Sequence, residues 1–491
     1  MKRKIILTMV FTILLFYFLI SPMVVSSISI HKNNKNLDNL IKTLEEPNDP
    51  KFWRQWPLEQ DNDCDIDIVK TWDITMGNPE IVIAVIDTGV KYDHLDLKNN
   101  LWVNDDEIAG NGKDDDENGY IDDIHGWNFK ENNTDLFDRC SPRGHGTQCA
   151  SIIGAEINNN LGIAGIAGKC KIMIVCDGDT SEDSANAIKY AADNEADIIS
   201  MSWGGMLDES CLKDEIDYAY YTKNVVLVAA AGNQGSDTKL YPAAYNNVIA
   251  VAGTDQYDKR AIVTRDQNPD YPWSSSYGDW VDVAAPAIEI FCILGNGFYS
   301  DHNWYCSGTS FACPHVTGII ALLKSNEPDL SNEEVITRIK NSVDMIETDK
   351  YIGTGRINAY CALSGTPGKP YKPTGPSQIQ SNIEYTYNSS GLDPNEDKLF
   401  YLFDWGDGTN SGWLGPYIPG YNVSAKHIWT SKGTYKIKVK TKDTTDKESE
   451  WSNTQNIVLQ RRSKFPSIFY RFFVKHFYFF TLFNQIFLLN N

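Results

Sequence analysis

Ile81-Val82-Ile83-Ala84-Val85-Ile86-Asp87-Thr88-Gly89-Val90 is an apolar run that ends in a carboxylate and a glycine turn. The run over 81–86 is unbroken and rich in β-branched residues. It predicts a strand buried on both faces of a parallel sheet. Asp87 then stands at the strand's carboxyl end, the rim where open α/β sheets hold their ligands. Residues 225–230 repeat the pattern and lead into Gly232-Asn233.

Two other stretches supply complementary chemistry. Gly144-His145-Gly146-Thr147 places an imidazole in a glycine-rich turn, and Ser307-Gly308-Thr309-Ser310-Phe311-Ala312 places a hydroxyl ahead of an apolar segment. Residues 312–323 read as a helix with Pro314 in its first turn. Ser310 would then lie near unpaired N–H groups that favour developing negative charge. A serine hydroxyl is a weak nucleophile at neutral pH. It needs a base, and the base needs an orienting acid. Taken singly, each residue has an ordinary reading: a carboxylate capping a turn, a surface histidine, a helix cap. Together, in the order Asp, His, Ser, they describe one reaction centre.

With these motifs, residues 48–363 resemble the subtilisin-like serine peptidases, the subtilase family. The resemblance implies a three-layer α/β fold with a mostly parallel central sheet. It also implies roles: Ser310 as nucleophile, His145 as base and then acid, and Asp87 as the group orienting the imidazole. Asn233, in Ala229-Ala230-Ala231-Gly232-Asn233, would donate to the oxyanion. Within this family, loss of one such donor costs about 10²–10³ in turnover. Ser202, Trp203 and Gly204 resemble the segment that pairs with substrate as an added strand. Ala230, Ala231 and Gly232 would wall the pocket for the residue before the scissile bond. Leu240 would close that pocket, leaving it shallow and apolar. Trp203 reads equally as a packed wall or a specificity element. Gln148 stands where many relatives carry a second histidine, and Phe311 and Cys313 stand where Met and Ser are frequent. Cys149 and Cys313 flank the catalytic pair, either as small buried residues or as thiols that make the site sensitive to mercurials and oxidation.

The same resemblance implies structural calcium. Asp96 matches a carboxylate of the family's tight site, with the Asn159 side chain and the carbonyls of Ile157, Leu161 and Ile163 completing it. A second candidate is read from spacing. Asp114, Asp116, Asn118, the Tyr120 carbonyl and Asp122 follow the first part of an EF-hand loop, with Gly119 at the sixth place. The twelfth place holds His125 rather than Glu, so the loop reads as calcium ligation or as a solvated acidic turn.

The chain has 491 residues, 42% of them apolar, and a formal charge of −21. That acidity suits a soluble secreted enzyme and makes nucleic acid an improbable partner. Residues 1–27 read as an export signal, or as an uncleaved anchor; either faces the enzyme outside the cytoplasm. Residues 28–47 are a short prosegment or linker, too short for the inhibitory prodomain that most exported relatives carry. Ten cysteines permit disulfides whose pairing the sequence leaves open, and none has Cys-x-x-Cys spacing, which argues against zinc. Asn132, Asn388 and Asn422 open Asn-x-Ser/Thr triplets.

The peptidase region is expected over 48–364, followed by a Pro/Gly-rich linker over 365–376. Residues 377–460 alternate polar and apolar residues between turns, predicting a small all-β immunoglobulin-like sandwich. Phe403-Asp404-Trp405-Gly406-Asp407-Gly408-Thr409 and Gly433-Thr434-Tyr435 resemble the PKD-type domain beside many exported hydrolases. It would bind a cell-surface or extracellular ligand, or act as a spacer. Residues 461–491 carry five Lys or Arg and no acid among many aromatics. They read as an interfacial helix on anionic lipid or a helix docked on the body. Two functional classes follow: a secreted endopeptidase acting on proteins or peptides, and an inactive relative kept as a scaffold. Inactive relatives lose a triad member or the oxyanion donor; this chain keeps all four.

Overall fold

The strand expected over 81–86 forms as β1 (Val82–Asp87), and its parallel neighbours are β3 (Lys171–Cys176) and β4 (Ile198–Met201). This computed structural model describes residues 46–138, 143–264, 272–300 and 306–460. The export segment, the stretch 28–45, Cys140 and the tail 461–491 lie outside the described residues. In chain order the remaining strands of the central region are β2 (Gly126–Asn128), β5 (Val226–Ala230), β6 (Val248–Thr254), the ribbon β7 (Ile262–Val263) with β8 (Trp273–Ser274), β9 (Val283–Pro286), β10 (Val343–Asp344) and β11 (Arg356–Ile357). Nine of them make one sheet in the order β10-β11-β9-β6-β5-β4-β1-β3-β2, antiparallel at β10–β11 alone.

Side chains of β1 alternate between two cores. Ile83 and Val85 pack with helices α2 (His145–Gly154) and α5 (Thr309–Asn326) through Ile152, Val316 and Ile319. Ala84 and Ile86 face α3 (Ser181–Asp193) and α4 (Ser210–Tyr221) through Ile188, Leu212 and Ile216. Two apolar faces demand two helical layers, which is why the run reads as continuous rather than alternating. Each fully buried Ile or Leu contributes about 1.5–3 kcal/mol. In the register Ile86↔Met201 and Met201↔Ala229, the carboxyl ends of β1, β4 and β5 lie in one row. The fold is the expected three-layer, mostly parallel α/β architecture.

Beyond it, a second β region shares a separate core of Tyr387, Tyr401, Phe403, Trp405, Trp429, Ile437 and Val439. Its sheets are β12 (Gln378–Gln380), β18 (Gln455–Gln460), β17 (Gly433–Lys442), β14 (Leu399–Asp404) and β15 (Leu414–Tyr417), and the pair β13 (Glu384–Ser389) with β16 (Val423–Ile428). Along β17, Ile437, Val439 and Thr441 point inward between outward lysines.

The segment read as a linker departs from its composition. Pro367, Gly368, Lys369 and Pro370 are buried, and Lys369 is bonded at the end of β10: its N–H donates to the Asp344 carboxylate at 3.0 Å, and the N–H of Met345, just after the strand, donates to its carbonyl at 3.0 Å. Pro and Gly are here small, rigid pieces of a packed strap. Beside the strap lies Arg356, with no exposed surface. It donates to Asp258 at 3.1 Å, to Asp344 at 2.5 Å and to the Asp63 carbonyl at 3.3 Å. The Lys369 ammonium pairs with the Asp63 carboxylate. Removing one partner of a buried ion network leaves uncompensated charge. Arg356→Ala is expected to cost about 3–5 kcal/mol in denaturant unfolding, measured on a Ser310→Ala chain to exclude self-digestion.

Candidate active site

The strand ends deliver the carboxylate first. Asp87 closes β1, is nearly buried, and accepts from Thr88 N–H through Oδ1 at 2.8 Å. Its oxygens lie 2.8 and 3.0 Å from His145 Nδ1. His145 is the first residue of α2, not part of a free turn, and Gly144 precedes it in the left-handed region at φ 62°. Gly146 is required by close approach: a Cβ there would sit 2.2 Å from the Gly89 carbonyl and 3.0 Å from Asp87 Cβ. Any side chain at 146 would push the imidazole away from its carboxylate.

Asp138 is a member of this assembly that sequence reasoning missed. Its Oδ1 accepts from the Thr88 hydroxyl at 3.1 Å, and its Oδ2 accepts from the Thr147 N–H and hydroxyl at 3.1 and 3.0 Å. The Thr88 hydroxyl in turn accepts from Gly146 N–H at 3.0 Å. One carboxylate thus clamps the turn after β1 to the first turn of α2. Nothing in Leu136-Phe137-Asp138 marks it, because its partners are distant in sequence.

Ser310 enters from α5. The helix begins at Thr309, so Ser310 is in the first turn and Pro314 falls in the second, a turn later than its sequence suggested. Proline has no N–H, so the Ser310 carbonyl lacks its helical donor. That carbonyl accepts instead from the Ser202 hydroxyl at 2.8 Å and the Cys149 thiol at 3.5 Å. The Ser310 hydroxyl donates to the Ser202 carbonyl at 3.0 Å. Two elements meet here: α2 supplies Cys149, one turn after His145, and the segment after β4 supplies Ser202. Phe311 and His145 have ring centroids 5.7 Å apart.

Asn233 is fixed by the same helix end. Its Oδ1 accepts from Thr309 N–H at 2.9 Å and the Thr309 hydroxyl at 3.1 Å, and that hydroxyl accepts from Gly232 N–H at 3.0 Å. With Oδ1 held, Nδ2 is the end of the amide left to donate. Gly308 lies alongside, where a Cβ would be 3.4 Å from Nδ2.

The predicted pocket residues share this rim. Leu240 is buried against Gly232, where a Cβ would meet its Cδ1 at 2.2 Å. Gly205 and Tyr241 exchange backbone bonds of 2.8 Å, joining the segment of Ser202, Trp203 and Gly204 to Leu240. Ala230 and Ala231 are buried beneath them. Trp203 Nε1 donates to the Ile86 carbonyl at 2.9 Å, which fixes the ring as a wall. A cleft of about 500 Å³ opens between Asp87, His145 and Trp203 on one side and Asp177 and Asp179 on the other.

Of the first calcium set, Asp96 and Asn159 are side by side: Asp96 accepts from Asn159 Nδ2 at 2.8 Å, Ile163 N–H at 3.1 Å and Tyr299 OH at 3.1 Å. Ile157, Leu161 and Ile163 lie on the same loop. The structure adds Asp49, which accepts from Asn158 N–H at 2.9 Å and Asn159 N–H at 3.4 Å. Both carboxylates are buried, and no Lys or Arg pairs with either among the described residues. Burial raises Asp96 above the usual carboxylate range, and burial lifts Asp49 to about 6. A buried acidic pair beside amide and carbonyl oxygens fits a hard cation.

The second set is partly redrawn. Glu107, Asp114 and Asp116 bring carboxylate oxygens within 4.8 Å of one another. Asn118 lies beside them, donating to Asp116 Oδ2 at 2.8 Å. The Tyr120 N–H donates to Asn118 Oδ1 at 2.8 Å. The Asp122 carboxylate turns elsewhere and accepts from Asn111 and Gly112 N–H at 3.1 and 2.9 Å. Asp122, the ninth position counted from Asp114, has φ 54°. Glu107 comes in from the preceding loop, which a spacing motif cannot reveal.

A carboxylate-bound imidazole, a serine at a helix start and a held amide donor on one rim define a serine peptidase centre. A sequence profile of the subtilase family matches residues 78–369. The chain is 39% identical to a thermophilic serine proteinase of a Bacillus strain over 299 residues, covering 60% of this chain and 64% of that one. It is 37% identical to thermitase of Thermoactinomyces vulgaris over 327 residues, covering 65% of this chain and 99% of thermitase. Solved proteases from Pseudoalteromonas arctica superpose with a TM-score of 0.52 at 28% identity, covering 65% of this chain and 99% of theirs. The chain belongs to the subtilase family and has the serine endopeptidase function of that family.

Burial is the largest single influence on His145 and opposes its protonation, but the Asp87 charge, the Asp87 hydrogen bond and the nearby Asp138 charge together lift the imidazole from 6.5 to about 9. The charged pair therefore adds stability below pH 6.5 and loses it as pH rises through about 9. NMR titration of the ring in a Ser310→Ala chain is expected to show this. In Asp87→Asn only burial remains dominant, and the ring should titrate at or below its ordinary value. A ring that titrates at the same pH in the parent and in Asp87→Asn would contradict the pairing.

Proposed function

We propose that residues 48–364 form a secreted, calcium-stabilised endopeptidase domain that hydrolyses peptide bonds through an acyl-enzyme on Ser310. The observation that carries this is the 2.8 Å contact of His145 Nδ1 with Asp87 on the rim shared by Ser310 and Asn233. With Nδ1 engaged, Nε2 is the nitrogen that accepts the Ser310 proton and returns it to the leaving amine. Asp87 fixes the tautomer and stabilises the imidazolium. Asn233 Nδ2 meets the oxyanion. Water then repeats the sequence on the ester.

The resting Ser310 bond to the Ser202 carbonyl suits this reading. Ser202, Trp203 and Gly204 lie where a substrate strand would add, so a substrate N–H would compete for that carbonyl. Rotation about the serine Cα–Cβ bond would redirect the freed hydroxyl to the imidazole. Leu240 against Gly232 favours a shallow pocket for medium apolar side chains. On a peptide library, cleavage after apolar residues is expected. Ser310→Ala should abolish turnover and fluorophosphonate labelling, and Asn233→Ala should lower kcat by about 10²–10³ with little change in KM. Cleavage confined to Arg or Lys would refute the pocket assignment; an unlabelled, folded parent would refute the enzyme.

Asp96, Asn159, Asp49 and the carbonyls of Ile157, Leu161 and Ile163 would hold one calcium ion, and Asp114, Asp116 and Asn118 with Glu107 a second. Bound calcium would supply positive charge between carboxylates that otherwise repel. At a hundredfold excess over Kd, one site should raise Tm by roughly 5–10 °C. Chelation should remove that gain, and Asp96→Asn should make the first site's share indifferent to calcium. A Tm untouched by chelator in the parent would overturn both sites.

The β region over 377–460 resembles a PKD-like module and would position the enzyme on an extracellular surface or space it from one. Residues 1–27 support export.

A further inference from the structure

Cys292 and Cys306 are buried free thiols with sulfur atoms 3.1 Å apart. Cys149 spends its thiol on the Ser310 carbonyl, and Cys313 faces Ser200 Oγ and the Met201 and Val228 carbonyls. The backbone already brings the two chains together. Ile290 and Cys306 form an antiparallel bridge, with bonds of 2.8 and 3.2 Å, and Cys292 exchanges bonds of 3.0 and 2.9 Å with Ser300.

We propose that Cys292 and Cys306 form a disulfide that braces the wall between base and nucleophile. The two segments it would join serve different parts of the centre. Ile293, next to Cys292, donates its N–H at 3.1 Å to the hydroxyl of Ser151 on α2, the helix that opens with His145. Cys306 leads directly into Ser307, whose hydroxyl accepts from Glu289 N–H at 2.9 Å, and Gly308, whose N–H donates to the Ala287 carbonyl at 2.9 Å. Ser310 follows. A bond of about 2.05 Å needs only a small approach, since the sulfurs are 3.1 Å apart and Cys306 is bridged to Ile290, two residues before Cys292.

The chemistry balances with a small-molecule disulfide as oxidant. One thiolate attacks oxidised glutathione and releases one glutathione thiol. The second thiolate then attacks the mixed disulfide and releases the other, so two protons and two electrons leave the protein. Both sulfurs are buried, so exchange belongs to folding, before the wall closes. Once formed, the bond is shielded from reductant in the native state. The oxidising side of the membrane, where residues 1–27 would send the chain, supplies these conditions.

The test uses the full chain with Ser310→Ala, which separates it from the peptidase reading. The protein is refolded in a reduced/oxidised glutathione buffer, its free thiols are alkylated in denaturant, and it is digested without reduction for mass spectrometry. One cross-linked species joining the Cys292 and Cys306 peptides is expected. Quantitative alkylation of both, or linkage of Cys306 to Cys149, overturns the proposal. Native protein treated with dithiothreitol should keep the cross-link; unfolded protein should lose it. In the Ser310→Ala background, Cys292→Ser with Cys306→Ser should melt roughly 5–10 °C lower than the oxidised parent and at the Tm of parent refolded under reductant. Equal melting of oxidised and reduced parent, whose sequence is the same, overturns the bracing role even if the double variant does not fold.

Discussion

The centre depends on a constraint of parallel pairing: strands that run the same way end on the same rim. β1, β4 and β5 are locked in register by backbone bonds and by two apolar cores, one on each face. Asp87, Ser202 and the segment after Ala230 emerge together for that reason alone. The helices bring the rest. Gly146 lets α2 start against the end of β1, and α5 begins where Asn233 can accept its first N–H. Chemistry across more than two hundred positions of sequence is assembled by sheet geometry, and no individual side-chain contact has to recruit it.

Pro314 shows how a local deficit becomes a tertiary bond. A proline in the second turn deprives the Ser310 carbonyl of its helical donor. Ser202 and Cys149 fill the vacancy, one from the substrate-strand segment and one from the histidine helix. The Ser310 backbone is thereby tied both to the segment after β4 and to the helix that opens with His145. Asp138 does the same for Asp87 and His145, clamping the two turns through Thr88 and Thr147.

Which features were legible follows from range. The buried strand at 81–86 and the alternation of β17 are local patterns, and each stands in the structure, as does the contact of Asp87 with His145. Asp138, Asp49 and Glu107 carry no local mark. Each acts on partners set by the fold, and an acidic residue in a polar loop looks like any other. Asp122 satisfies a spacing template, and in the structure its carboxylate accepts from Asn111 and Gly112 N–H. Spacing fixes which residues can meet, and the fold decides which do.

The strap after the catalytic region makes the same point with energetics. Pro and Gly predicted flexibility, yet Lys369 is buried beside Arg356 in a network that reaches Asp63, Asp258 and Asp344. Charge taken out of water is tolerable only where partners are held in place. Small residues around Lys369 permit that close packing, so composition that loosens an exposed chain stiffens a buried one. Lys447 donates to the Ser364 carbonyl at 2.6 Å and Lys70 to Glu450 at 2.7 Å, so polar contacts as well as the strap join the β region to the enzyme body.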